Sequence, residues 1–249
     1  MQRKYGLKKS PNRHLRQSYS HMLGEVQLPP VVDLRPDFPE CYNQGEFNSC
    51  TANSIGASIH YLIGKYKATP SRMFIYYKER EMQNTQNQDD GSTLQAGIET
   101  CEQIGVCPET IWEYSQKHLF SPPNPDLLKS PIVKITKAQT INTFDELKHS
   151  LAMKFPVVIG IVVFQSFESE QVAQTGIMVM PQPNEQTLGG HALCVVGYDD
   201  TKQSLIVRNS WGIEWGLDGY FYMPYSFAQN PDYCWDWWSI QSVTQNINF

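Results

Sequence analysis

The stretch NQGEFNSCTAN (Asn43–Asn53) puts a thiol, Cys50, where an apolar helical pattern begins. A cysteine in that position is favoured as the thiolate, because the helix dipole and the free N–H groups of the first turn stabilise negative charge. The same N–H groups can donate to an oxyanion when a carbonyl becomes tetrahedral. A thiolate nucleophile also needs a base or cation beside it, usually a histidine, and a group that orients the histidine. The chain offers both. LGGHALCVVGYDD sets His191 after two glycines at the start of an apolar run. IVRNSWGIEWGLDGYFY sets Asn209 at the end of another, followed by Trp211 and Trp215. Singly, each has a plainer reading: a packed cysteine, a hydrogen-bonded histidine, a turn asparagine. Together and in this order they read as nucleophile, base and orienting amide.

Such a set needs elements to hold it. From Cys50 the apolar positions Ala52, Ile55, Ile59, Leu62, Ile63 and Tyr66 fall at helical spacing. SRMFIYYKEREM predicts a second helix with Ser71 as its cap, and STLQAGIETCEQIG a third, ended by Gly105. FDELKHSLAMK predicts a short helix, after which PVVIGIVVF, GIMVM, HALCVVGYD, SLIVRNS and GYFYMPY read as strands between Gly/Asn/Asp turns. A helical first half and a β-rich second half argue an α+β fold of two lobes rather than alternating α/β.

Composition removes several function classes. The 249 residues are 41% hydrophobic, enough for a sizeable core and too apolar for disorder. Net charge is -5, so no overall basic field points to nucleic acid. The longest apolar run, VVIGIV, is far too short to span a membrane. Charge is uneven, however: residues 1–30 carry six Lys/Arg against one Glu, leaving 14 against 24 in the remainder. The first segment, MQRKYGLKKSPNRHLRQ, lacks the apolar core of a signal peptide, and the compartment is left open. The six cysteines include no CxxC pair, which argues against zinc, and His191 with Cys194 would face opposite sides of a strand.

With these residues in view, the chain resembles the papain-like cysteine peptidases, bacterial-type branch, from about Leu28 to the C-terminus. Gln44, Gly45 and Cys50 match the family's first signature; His191, Ala192, Gly197 and Tyr198 the histidine signature. Asn209, Ser210, Trp211, Gly212, Trp215, Gly216, Gly219 and Tyr220 match the third. The resemblance implies a papain-like two-lobe fold, with a helical N-terminal lobe and an antiparallel β-barrel-like C-terminal lobe. It implies a cysteine endopeptidase that works through a thioester acyl-enzyme on peptide or protein substrates, needs no metal or cofactor, and is a monomer. Cys50 would attack, His191 would pair with it and protonate the leaving amine, and Asn209 would orient the imidazole. Gln44 would donate to the oxyanion, and Trp211 would shield the His191–Asn209 bond. For substrate binding, DDGSTLQAG would supply main-chain groups of Gly91 and Ser92, with Ser92 where a second glycine is usual. Gly160 and Ala192 would line an open pocket for a bulky apolar side chain.

Two departures accompany the match. Phe47 stands where the family has a disulfide-bonded cysteine, so packing is expected to replace that bond; any other pairing is left open. Residues 1–28 are also too short to be the family's long inhibitory prodomain. We therefore divide the chain into a basic arm, 1–28, and a catalytic domain, 29–249, with lobes at about 29–131 and 132–249. The arm reads either as a short prosegment or lobe-bridging strap, or as a solvated tail. Segment 108–136, whose one histidine is His118, shows no obvious histidine-bearing occluding insertion, which favours endopeptidase over carboxydipeptidase action. Two rival functions remain: a transglutaminase-like acyl transferase, and an inactive peptide-binding pseudo-protease.

Overall fold

The computed structural model describes residues 3–19, 27–129, 132–245 and 249. In the helical lobe, α1 (Cys50–Ile63) is flanked by α2 (Arg72–Met82) and α3 (Leu94–Gln103). Every residue of α1 from Cys50 to His60 is buried. Its small residues Ala52, Ser54, Gly56, Ala57 and Ser58 let neighbours approach on all sides, so α1 is polar in places yet central. It ends at Gly64, whose φ of 107° no ordinary side chain adopts easily, and Tyr66 lies beyond it, 93% exposed.

α2 and α3 are capped by the side chains of Ser71 and Thr93, which accept from the N–H groups of Phe74 and Ala96. Behind Cys50, Glu79 of α2 is fully buried and accepts a hydrogen bond from the Thr51 hydroxyl. Burial pushes its carboxyl up to about 8, so it sits there neutral at pH 7. Gly105, with φ 89°, turns the chain out of α3 and donates its N–H to Thr100 O.

The second lobe is an antiparallel sheet. Its strands are β1 (Val31–Asp33), β2 (Ile135–Thr140), β3 (Val157–Phe164), β4 (Thr187–Asp199), β5 (Ser204–Arg208), β6 (Tyr220–Pro224) and β7 (Cys234–Val243). They lie in the order β2-β7-β3-β4-β5-β6, with β1 on β4. The sheet curls without closing into a barrel. Short helices α4 (Phe144–Ala152), α5 (Glu170–Thr175) and α6 (Tyr225–Ala228) decorate it, α4 held by a capping box of Thr143 and Glu146. β4 is buried from His191 to Asp199 because β3, β5 and α1 all pack on it.

Three elements differ from the periodicity reading. GIMVM forms no strand and makes only an isolated bridge, Ile177 to Tyr222. β2 and β7 escape it because ITKAQT is polar and CWDWWSIQSV breaks alternation at Asp236, which adopts φ 60° where the β3–β7 register shifts.

Residues 3–19 are not a solvated tail. They run across the junction of the lobes, Leu7 N–H donating to Gly190 O (3.1 Å) and Lys8 N–H to Ser92 O (2.9 Å). Further on, Tyr19 N–H donates to Thr140 O and Arg16 grips Glu102 through both carboxylate oxygens (2.6 and 2.7 Å). Residues 20–26 lie outside the described part.

The packing of α1, α2 and α3 is tightest at Gly97. A Cβ there would lie 2.5 Å from Ile55 Cδ1 and 2.6 Å from Glu79 Oε2. Gly97→Ala is expected to cost about 1–3 kcal/mol through overpacking. Thermal unfolding should show a midpoint lowered by several degrees, at roughly 2–4 °C per kcal/mol.

Candidate active site

The site assembles where the N-terminus of α1 meets the start of β4. Ser71, Thr93, Thr143 and Ser169 cap their helices with side-chain oxygens, whereas Ser49 gives α1 no such bond. Its hydroxyl is engaged instead with Tyr114 Oη (2.5 Å) and Asn53 Nδ2 (3.0 Å). The first N–H groups of α1 therefore stay available, and with that of Ala192 from β4 they oppose the effect of burial on the Cys50 thiol. α1 packs on β4, and Cys50 and Ala192 lie in one core cluster.

His191 is completely buried, and its Nε2 lies 2.9 Å from Asn209 Oδ1. The same Oδ1 accepts the Ser210 backbone N–H at 2.8 Å, which fixes the orientation of the Asn209 amide. His191 Nε2 must then be the donor. Nδ1 is left bare, buried and without a hydrogen-bond partner, an unprotonated nitrogen able to accept a proton. Trp211 covers the pair, its ring stacked 5.1 Å from the imidazole at 25°.

Gln44 comes to the site from the loop before α1, tied across the lobes. Its N–H donates to Ser210 O (2.8 Å), and its Oε1 accepts from the Ser210 hydroxyl (2.5 Å). Nε2 gives one hydrogen to Phe47 O (2.8 Å), which leaves the other for an oxyanion. Phe47 packs edge-on against Tyr114 at 5.4 Å, and Tyr114 Oη also donates to Gln44 O (2.9 Å). The turn is thus held by aromatic packing and hydrogen bonds. All six cysteines are free and buried.

The expected substrate-facing residues are occupied by the arm. Gly91 has φ 74°, and a Cβ on it would lie 1.9 Å from Gly6 O. Only glycine permits that approach. Ser92 O accepts from Lys8, but its hydroxyl turns inward to Gln83 Oε1 (3.1 Å). Gly160 and Ala192 are register neighbours on β3 and β4, and the Leu7 side chain fills the space they leave. A Cβ on Gly160 would sit 2.7 Å from Leu7 Cδ2 and 3.1 Å from Trp235 Nε1, so the indole narrows that pocket.

With the arm in place, burial pushes the Cys50 thiol up to about 12. Burial also lowers His191 to about 4, against the opposing hydrogen bond from Asn209, and the charge of Arg3 adds to the lowering. Thiol and imidazole are both neutral in this state.

Sequence reasoning missed three contributors. Asp89 orders the cleft edge by accepting from Asn48 N–H (3.0 Å) and Tyr76 Oη (2.6 Å) and by pairing with Lys4 (2.9 Å). Trp235 and Glu168 were passed over for want of any motif around them; the signal for Asp89 was its place just before Gly91.

A helix-borne thiol, a histidine oriented by an asparagine, and a groove between a helical and a β lobe define a cysteine hydrolase of the two-lobe α+β type. The chain belongs to the papain family of cysteine proteases, whose family model matches residues 28–234. It is 40% identical over 240 residues to an uncharacterized peptidase C1-like protein of Acanthamoeba polyphaga mimivirus, covering 90% of this chain and 76% of that one. It is 27% identical over 216 residues to the thiol protease aleurain of Arabidopsis thaliana, covering 82% of this chain but only 58% of the plant protein. Among solved structures, xylellain, a cysteine protease from Xylella fastidiosa, superposes with a TM-score of 0.88 at 32% identity, covering 98% of this chain and 99% of that one. No helix among the described residues is long and apolar enough to cross a membrane, and none of their His, Cys, Asp and Glu cluster as metal ligands.

The tautomer and its pH response can be read directly. Nitrogen NMR of His191 in the full chain should show a protonated Nε2 and a bare Nδ1, with no imidazolium above about pH 5. Because the covered pKa (about 4) lies below the ordinary value of 6.5, the covered state keeps this contribution above pH 6.5 and loses it as pH falls toward 4. An imidazolium at pH 6 would contradict the arrangement.

Proposed function

We propose that the chain is a cysteine endopeptidase and that its own N-terminal arm holds it latent. The observation that carries the catalytic reading is the fixed Asn209–His191 pair with Nδ1 bare, on the strand against which α1 and its terminal thiol pack. Cys50 gives its proton to His191 and attacks the carbonyl carbon; the oxyanion is met by Cys50 N–H and the spare Nε2 hydrogen of Gln44. The imidazolium then protonates the departing amine, leaving a thioester that water hydrolyses with His191 as base. Orientation by Asn209 and cover by Trp211 favour this over the transferase, and a peptide binder has no use for the whole set.

The endopeptidase mode rests on the arm itself. One segment of chain passes through the groove from Trp211 at one end to Asp236 at the other, where Ser10 Oγ donates to Asp236 Oδ2 (2.5 Å). A groove that admits a continuous chain at both ends suits cleavage within a polypeptide. The arm binds with inverted sense. Since His191 protonates the leaving amine, the leaving side is that of His191 and Trp211, and the acyl side is that of Gly91 and Ser92. A substrate therefore runs from Gly91 toward Trp211, whereas the arm, with Arg3 at Trp211 and Lys8 at Ser92, runs the other way. Its peptide bonds meet the thiol in an orientation unfit for attack, while Leu7 keeps water out.

Burying Leu7 contributes about 1.5–3 kcal/mol, and a carboxylate there would be strongly disfavoured. Leu7→Asp in the full chain should raise alkylation of Cys50 by iodoacetamide at least tenfold. With a peptide library, mass spectrometry should find cleaved products from that variant and none once Cys50→Ala is added. Amine-linked products would favour the transferase, and binding without covalent change the pseudo-protease. An unchanged alkylation rate would refute latency.

A further inference from the structure

We infer that Trp211 and Glu168 form a seat for a cationic side chain, lysine or arginine, on the leaving-group side of the substrate. In the structure Arg3 occupies it. Its Cζ lies 4.0 Å from the centroid of the Trp211 ring, and its Nη1 is 3.6 Å from Glu168 Oε1. That oxygen is buried and makes no hydrogen bond, so the arginine is what balances it. Glu168 has no other ion pair among the described residues. A carboxylate left this way pays for desolvation without a donor unless a cation is present.

The seat is built rather than accidental. Glu168 ends the turn of 3-10 helix Gln165–Glu168 that follows β3. Phe167, the residue before it, is buried and packs 5.4 Å from Trp211 and 5.5 Å from Trp215. The carboxylate and the indole are therefore fixed relative to one another through one aromatic cluster. The backbone of the same turn is pinned from outside: Glu185 accepts from Ser166 N–H (2.5 Å) and from Gln182 N–H (2.8 Å). Beyond Glu168 the surface opens into a polar recess of about 740 Å³ bordered by Ser166, Ser169, Gln182 and Gln186, with room for a long side chain to enter and for water to follow it. An aromatic face beside a carboxylate is the pairing that selects a guanidinium or ammonium over a neutral chain of equal length.

When the arm leaves, the seat loses its cation and keeps its shape. A substrate that runs opposite to the arm still presents its leaving-side residues to this corner, and side-chain recognition here does not depend on backbone sense. The location also bears on the chemistry. A cation at Arg3's position lowers the proton affinity of His191. A substrate cation seated there makes the imidazolium formed on acylation a stronger acid toward the leaving amine.

This inference rests on the peptidase reading, and two measurements separate their fates. Take the full chain carrying Leu7→Asp and internally quenched peptides with leucine on the acyl side. Place arginine or glutamine at the first, then the second, position after the scissile bond. At one of the two positions arginine should raise kcat/KM by about tenfold over glutamine, as expected for one desolvated cation–π and ion-pair contact. Glu168→Gln should bring that ratio to within about twofold of unity. The same peptides are then titrated by calorimetry against the Leu7→Asp, Cys50→Ala chain, with and without Glu168→Gln. Tighter binding of the arginine peptide, lost with Glu168→Gln, supports the seat even if nothing is cleaved, in which case the peptidase reading alone falls. Equal binding of the two peptides, or a preference that survives Glu168→Gln, overturns the seat whether or not cleavage occurs.

Discussion

The packing of one helix terminus against one strand governs this molecule. Cys50 opens α1, α1 lies on β4, and Cys50 shares a core cluster with Ala192, the residue after His191. That contact demands a helix thin enough to be surrounded and a strand that can lie on it. The small residues along α1 meet the first demand, and the burial of β4 from His191 onward meets the second. The ties across the lobes follow from it. Gln44 reaches Ser210, Asn43 bridges to Trp211, and Gly212 N–H donates to Tyr42 O, so the loop before the helix is sewn to the strand ends beyond Asn209. A helix that carries its nucleophile cannot also spend its first N–H groups on an ordinary cap, and Ser49 is duly turned to Tyr114.

The arm exploits the same junction. Six cations in its sequence face an acidic body, and four of them find carboxylates: Arg3 on Glu168, Lys4 on Asp89, Arg16 on Glu99 and Glu102, Arg13 on Asp236. The exposed one, Lys4 on Asp89, is worth little. Backbone pairing and the burial of Leu7 and Tyr19 do more. Because the arm belongs to the same chain, the proposed latency would set it against substrate at the effective concentration of a short tether, of millimolar order, so weak contacts would suffice to keep it in place.

Much of the site was legible in the sequence because its chemistry needs particular residue types at fixed spacings. Gln44, Cys50, His191, Asn209 and Trp211 could be singled out that way; the structure bonds His191 to Asn209, stacks Trp211 on the imidazole, ties Gln44 to Ser210 and starts α1 at Cys50. The helical lobe was legible for a different reason: the Ser71 cap, the Gly105 stop and the period of α1 are local signals. What escaped depends on distant parts of the chain. β2 and β7 are stabilised by each other, by β3 and α1 on β7 and by α3 on β2, so their own polar or irregular patterns carry no warning. The course of the arm is set by complementarity to Gly91, Gly189 and Gly190, whose missing Cβ atoms make room for Gly6, Tyr5 and Leu7. Glycines of that kind look like turns until the partner backbone is known. The pocket at Gly160 and Ala192 reads as open from those two residues alone; Trp235, brought in by the bulge at Asp236, makes it narrower.

Phe47 has a consequence of another kind. A thiol nucleophile works only while reductant keeps it from being oxidised, and in a cross-linked relative the same reductant attacks the scaffold. Here no sulfur is spent on architecture, since all six cysteines stand reduced in the interior. Redox potential and folding stability are therefore uncoupled, and thiol concentration can rise without loosening any part of the framework that holds the thiol.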